Sequence, residues 1–174
     1  MAGSDMNNVG IHDLDRPGSP LDAATSPFGA PWPRGLRGLG GLRFAWGSVR
    51  FDASVAFYRD LVGLSLLETF ENSYGSTGAI FGLPGAALTF ELVRAGGSIE
   101  AHAHERMCLY FPDERTRNAA TGRLRAAGIE PIAEQHPYWS ATGGITFLDP
   151  DGREVVFAPF VYGTNEPSAP GHGA

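Results

Sequence analysis

With 174 residues, 43% of them hydrophobic and 18% charged, the chain has the length and composition of one globular domain. Its formal net charge of −6 speaks against a nucleic-acid partner, which calls for a basic stripe. No apolar run approaches the roughly 18 residues that a membrane span needs.

The N-terminus, Met-Ala-Gly-Ser-Asp-Met-Asn-Asn, has neither a positive region nor an apolar core, so no signal peptide is expected. The single cysteine, Cys108, cannot form an internal disulfide, which fits a reducing, cytoplasmic setting. It reads as a small buried hydrophobe within a strand. Residues 1–39 place Pro17, Pro20, Pro27, Pro31 and Pro33 among Gly, Ser and Ala with no helical or strand period, and are expected to stay disordered. Residues 163–174 are expected to form a flexible tail. The folded domain is therefore expected over residues 40–162.

Within it the pattern predicts a strand over 42–49. A helix follows, capped by Asp52, running through Leu61 and stopped by Gly63. Strands come next at 65–70, 79–81 and 87–94. The order then restarts. A strand over 106–111 leads to a helix capped by Asp113, running through Ala127 and stopped by Gly128; a short strand follows at 132–134. The run from Gly144 to Phe157 reads as strand, tight turn, strand. In Asp149-Pro150-Asp151-Gly152, Pro presets φ, Asp caps its own backbone and Gly accepts positive φ. Arg115, Arg117, Arg123 and Arg125 read as the solvated face of the second helix. The fold class is thus α+β, with two β-α-β-β-β modules, about 42–94 and 104–160, around a central cup.

Alternation assigns the faces. Phe44 and Trp46 oppose Arg43, Ala45 and Gly47. Phe90 and Leu92 oppose Thr89 and Glu91. Met107, Leu109 and Phe111 oppose Arg106, Cys108 and Tyr110. The more apolar set of each strand suits the helix-packed side, and the other would line the cup, the natural small-molecule site.

The Asp-Pro-Asp-Gly hairpin, with the segment from Asp52 through Phe57-Tyr58 to Gly63, resembles the vicinal oxygen chelate superfamily of glyoxalase I, bleomycin-resistance proteins and extradiol dioxygenases. Pro137-Tyr138-Trp139, followed by Gly-Ile-Thr-Phe-Leu-Asp-Pro-Asp-Gly, is similar to an uncharacterised branch that tends to carry Arg in its first strand. The resemblance implies four metal-ligand positions in metal-using members. The first, 14 residues before Phe57, is Arg43. The second, about seven before Asp113, is Arg106. The last-strand positions are Glu91 and Val156. Arg43 and Arg106 lie 63 residues apart, and Glu91 and Val156 lie 65 apart, as a duplication requires. Two guanidinium groups do not deprotonate, so no metal cofactor is expected. His102 and His104, with Glu91, form a fallback metal set; the alternative is that the two histidines lie in the exposed linker between modules.

Two readings of Arg43, Glu91 and Arg106 stay open. They form either a polar ligand cup or an Arg–Glu ion pair that closes an empty one. Tyr110, Tyr138 and Trp139 are expected to bound the ligand, with Tyr74 a weaker candidate for the same wall. The resemblance implies a metal-free binder of a polar or anionic small molecule, of the bleomycin-resistance kind, acting as a homodimer. The alternative is a lyase, isomerase or dioxygenase that uses an unrecognised metal set or Glu91 as general base. Whether the chain is an enzyme stays undecided at this point.

Overall fold

The computed structural model describes residues 41–83, 88–98, 105–161 and 167. The expected N-terminal disorder, His102, His104 and most of the C-terminal tail lie outside the described residues. β1 (Leu42–Ser48) leads to α1 (Phe51–Ala56), which widens into a π-helical turn over Phe57–Val62. β2 (Ser65–Ser73), β3 (Ser76–Gly82) and β4 (Leu88–Arg94) complete the first half. The second half comprises β5 (Arg106–Tyr110), α2 (Glu114–Ala126), α3 (Pro137–Ala141), β6 (Ile145–Leu148) and β7 (Glu154–Ala158).

The strands form two mixed sheets, ordered β1-β4-β3-β2 and β5-β7-β6. In each sheet the first strand of the half runs parallel to the last and the other pairings are antiparallel. The α+β class with a repeated unit therefore holds, but the second half has one strand fewer than expected. At 132–134 a single ladder-like bond survives, Ile132 N–H to the Thr146 carbonyl at 2.9 Å. Pro131 has no N–H to donate at this edge. Gln135 bonds the β6 edge through its side chain instead, donating to the Gly144 carbonyl (2.9 Å) and accepting from the Thr146 hydroxyl (2.7 Å).

The predicted face assignment is the observed one. Phe81, Phe90, Leu92, Met107, Phe147, Val155 and Phe157 are buried in one core with Phe57 and Tyr58 of the first helix and Leu124 of α2; Phe44 and Trp46 pack against it. Phe90 lies at the centre, with Phe44, Trp46, Tyr58 and Phe81 each 4.9–5.8 Å from its ring centre. Each such fully buried ring contributes roughly 1.5–3 kcal/mol of transfer free energy.

Helix ends show which sequence signals acted. The Asp113 carboxylate accepts the Thr116 N–H at 2.7 Å, a regular N-cap. Gly63 and Gly128 take left-handed φ of +90° and +76°, as helix-stopping glycines do. Asp52, in contrast, does not cap α1. It sits inside the first turn and forms a fork with Arg94 at 2.8 and 3.2 Å. The carboxylate that serves the start of α1 comes from the other half. Asp151 accepts the N–H groups of Val49 (3.1 Å) and Arg50 (3.0 Å) and the hydroxyls of Ser48 (2.5 Å) and Ser54 (3.0 Å).

The Asp-Pro-Asp-Gly turn is thus a clasp between the halves as well as a hairpin. Asp149 accepts the Tyr58 hydroxyl at 2.9 Å and the Arg153 N–H at 2.8 Å. Arg153, 3% exposed, donates to the Gly47 carbonyl at 2.8 Å and lies over the Trp46 ring at 5.3 Å. Arg153 offsets the charge of Asp149 and Asp151, at 3.7 and 3.5 Å, so the acids are buried with a counter-charge.

The arginines of α2 are not all solvated. Arg117 is buried and donates to the Gly143 carbonyl, which fixes the turn between α3 and β6. Arg123 donates to the carbonyls of Leu61 (3.0 Å) and Val62 (2.8 Å), closing the end of the π-helical turn.

Candidate inner-face site

The faces turned away from the helices carry the polar residues that the sequence singled out. The ladder register tests their equivalence. Arg43 stands opposite Thr89, with Glu91 two residues further along β4. Arg106 stands opposite Glu154, with Val156 two residues further along β7. Arg43 matches Arg106, and Glu91 matches Val156, as the duplication offsets require.

Arg43 reaches Glu91 at 3.4 Å and the Thr89 hydroxyl at 3.4 Å. Its side chain is 52% exposed, and that of Glu91 is 16% exposed. In the second half Arg106 is 19% exposed, and its Nε lies 3.1 Å from Glu154, itself 21% exposed. The two contacting atoms, Arg106 Nε and Glu154 Oε2, are both sealed from solvent, and their contact is an ion pair outside hydrogen-bond geometry. Water screens this pair less than the more exposed Arg43–Glu91 pair. Glu154 was missed in the sequence because its strand neighbour Val156 held the family position. The pairing is legible only once β5 and β7 are known to be parallel and in register.

The expected aromatic wall is present in part. Trp139 is buried with Val156, Ala158 and Phe160, and Cys108, Tyr110 and Tyr138 pack against this second cluster. Tyr138 meets Trp139 edge-on at 4.7 Å, and Tyr110 lies 5.8 Å from Phe160. These rings fill the inner face of the β5-β7-β6 sheet at the end away from Arg106 and Glu154. His136 anchors α3 by accepting the Tyr138 N–H at 3.2 Å on Nδ1. Cys108 is half-buried, and burial pushes its thiol up, as for an inert packing residue. Tyr74 does not join this wall. It sits in the β2–β3 turn, fully exposed, at φ +51°.

Among the described residues no group of three or more His, Cys, Asp or Glu is placed to hold a metal ion. No described helix is long and apolar enough to cross a membrane. A cavity of about 340 Å³ opens elsewhere, on the helix side of the first sheet, with Phe51, Val55, Phe70, Asp52, Arg59 and Arg94 in its walls. None of the predicted site residues lines it. Its arginines are already forked, Arg94 to Asp52 and Arg59 to Asp60.

Comparison with known proteins agrees with this geometry. The YycE-like N-terminal domain matches residues 42–93, and the YycE-like C-terminal domain matches residues 105–159. The uncharacterized protein YycE of Bacillus subtilis (strain 168) is 31% identical over 119 residues, covering 67% of this chain and 85% of its own. The crystal structure of a YycE protein from Bacillus subtilis superposes with a TM-score of 0.63 at 28% identity, covering 74% of this chain and 93% of that one. More distant likenesses show the fold alone. The fosfomycin resistance protein FosX from Listeria monocytogenes has a TM-score of 0.55 at 15% identity, over 69% of this chain and 92% of its own. TnmS3, an antibiotic binding protein from Streptomyces sp. CB03234, has a TM-score of 0.52 at 21% identity, over 68% and 94%. Matched in both modules and along most of a curated relative, the chain belongs to the YycE-like family, and it shares its fold with the glyoxalase-like proteins of the vicinal oxygen chelate superfamily.

Proposed function

We propose that this protein is a metal-free binder of a polar or anionic small molecule, of the bleomycin-resistance kind, and that it works as a homodimer. One observation carries the reading. Each arginine, Arg43 and Arg106, is matched to a carboxylate on its own sheet, and the resemblance puts Arg43, Glu91, Arg106 and Val156 where metal-using members carry their ligands. Guanidinium groups keep their charge, so a divalent ion at either half meets a cation, and the carboxylate beside it, Glu91 or Glu154, is already paired with that cation. The same groups are well suited to hydrogen-bonded recognition, with planar donors beside acceptors. Tyr110, Tyr138 and Trp139 supply an apolar flank for the ligand body.

The likeness to an antibiotic binding protein is one of fold and supports the class only by analogy. The enzyme reading gives Glu91 the role of general base. It is less favoured, because Glu91 already accepts from Arg43. The dimer is inferred from the resemblance, since members of the superfamily commonly pair modules within or between chains; among the described residues β1 and β5 each end their sheet.

Thermal-shift and NMR titration against a panel of polar metabolites and antibiotics tests the binder. Saturable binding with the ligand recovered unchanged is expected; turnover of the bound compound contradicts it. Light scattering at micromolar concentration tests the dimer. A mass of twice the 18.5 kDa chain is expected, and a monomer contradicts it.

A further inference from the structure

We propose that Glu154 sets the charge that the inner face accepts. It holds the Arg106 guanidinium in an internal pair, so the second half of the site takes an electroneutral or zwitterionic ligand that presents a donor beside an acceptor, and turns simple anions away. The proposal rests on the binder reading above and narrows its ligand class.

The geometry points this way. Arg106 and Glu154 are direct cross-strand partners, so their side chains leave the same face at the same level. Their contact is 3.1 Å, and the contacting atoms are shut off from water. In such surroundings an ion pair is screened little, and an incoming anion must displace a carboxylate already in place. The first half repeats the device in looser form. Arg43 and Glu91 meet at 3.4 Å, with the arginine half exposed. Each half of the inner face pairs one arginine with one glutamate and is electrically balanced by itself. A lone phosphate or carboxylate gains no net charge complement from it. A molecule carrying an N–H or ammonium beside a carbonyl or acid can address guanidinium and carboxylate together. Its apolar body then extends along the same sheet face toward Tyr110 and Tyr138 at the other end.

Removing the carboxylate should reverse this preference. In Glu154→Gln the partly buried charge of Arg106 loses this carboxylate, and the site should take up an anion from solution in its place. Inorganic phosphate is the probe, followed by calorimetry and by ³¹P line broadening, with folding checked by circular dichroism. Phosphate should bind Glu154→Gln roughly tenfold or more tighter than the wild-type chain. The double variant Arg106→Met/Glu154→Leu, which replaces the pair by apolar groups of similar size, should lose that gain. If Glu154→Gln does not fold, Glu154→Asp serves. It keeps the charge but draws it back by one methylene, and an intermediate gain is expected. Equal phosphate affinity in wild type and variant overturns the proposal, as does a gain that persists without Arg106. Phosphate is not the panel ligand, so a flat result refutes the role of Glu154 and leaves the binder reading to its own titration.

Discussion

The Asp151 carboxylate of the second half accepts a 2.5 Å hydrogen bond from the Ser48 hydroxyl at the end of β1 in the first. The same carboxylate takes the Val49 and Arg50 N–H groups and the Ser54 hydroxyl. One side chain in a tight turn therefore organises the start of α1, and with it the end of β1, the strand that carries Arg43.

Asp151→Ala should lower stability by about 2 kcal/mol, because it removes the acceptor of two part-buried hydroxyls and of two backbone donors at the exposed start of α1. Asp151→Asn, which keeps one acceptor, should lose less. Urea denaturation of the three proteins checks the order. If the alanine variant loses less than about 1 kcal/mol, the turn is a hairpin only and not a clasp.

Acid should loosen this clasp in a defined range. Burial acts to push Asp151 up, but the hydrogen bonds from Ser48, Arg50, Ser54 and Val49 outweigh it and hold the carboxyl below its usual range. Its stabilisation is therefore present above the unfolded value, near 4, and is lost as pH falls through the lower folded value. Asp149 has the opposite sign. Burial pushes its carboxyl up, so its contribution is lost as pH rises through the raised folded value and is recovered on acidification. The urea midpoint should thus change little or rise between neutral pH and about 5, then fall below about 4. A midpoint that falls steadily from neutral pH contradicts this assignment.

The module order was legible in the sequence because cap, period and stop signals agreed. Asp113, Gly63 and Gly128 act where the pattern puts them. Asp52 carried the same signal and does something else, since a long-range carboxylate took its place and Arg94 drew it away. The missing strand at 132–134 has a similar cause: one side chain, Gln135, satisfies the β6 edge that a strand would have paired. Arg43, Glu91 and Arg106 were singled out through the family resemblance, at offsets that a duplication matches. Glu154 was not, because cross-strand partners depend on register, and register is set by packing across the whole sheet.

Trp139 offers a clean separation of packing from hydrogen bonding. The residue is 6% exposed, and its indole Nε1 is buried without a hydrogen-bond partner. Trp139→Phe removes the orphaned donor and keeps much of the ring, so a change within about 1 kcal/mol is expected. Trp139→Ala should cost about 3–5 kcal/mol, as it empties the small cluster with Val156, Ala158 and Phe160. Thermal denaturation of both variants checks this. A large loss in the phenylalanine variant would mean that the indole N–H has a partner.

The most direct measurement of the central claim is elemental analysis of the protein purified without chelator or affinity tag. On the proposed reading, which puts arginine at two of the four ligand positions and valine at a third, bound zinc, iron, manganese, nickel and copper should each stay far below one ion per chain, and excess zinc or manganese should leave the melting temperature unchanged. One stoichiometric transition metal per chain, retained through dialysis, would contradict the account and return the protein to the metal-using members of its superfamily.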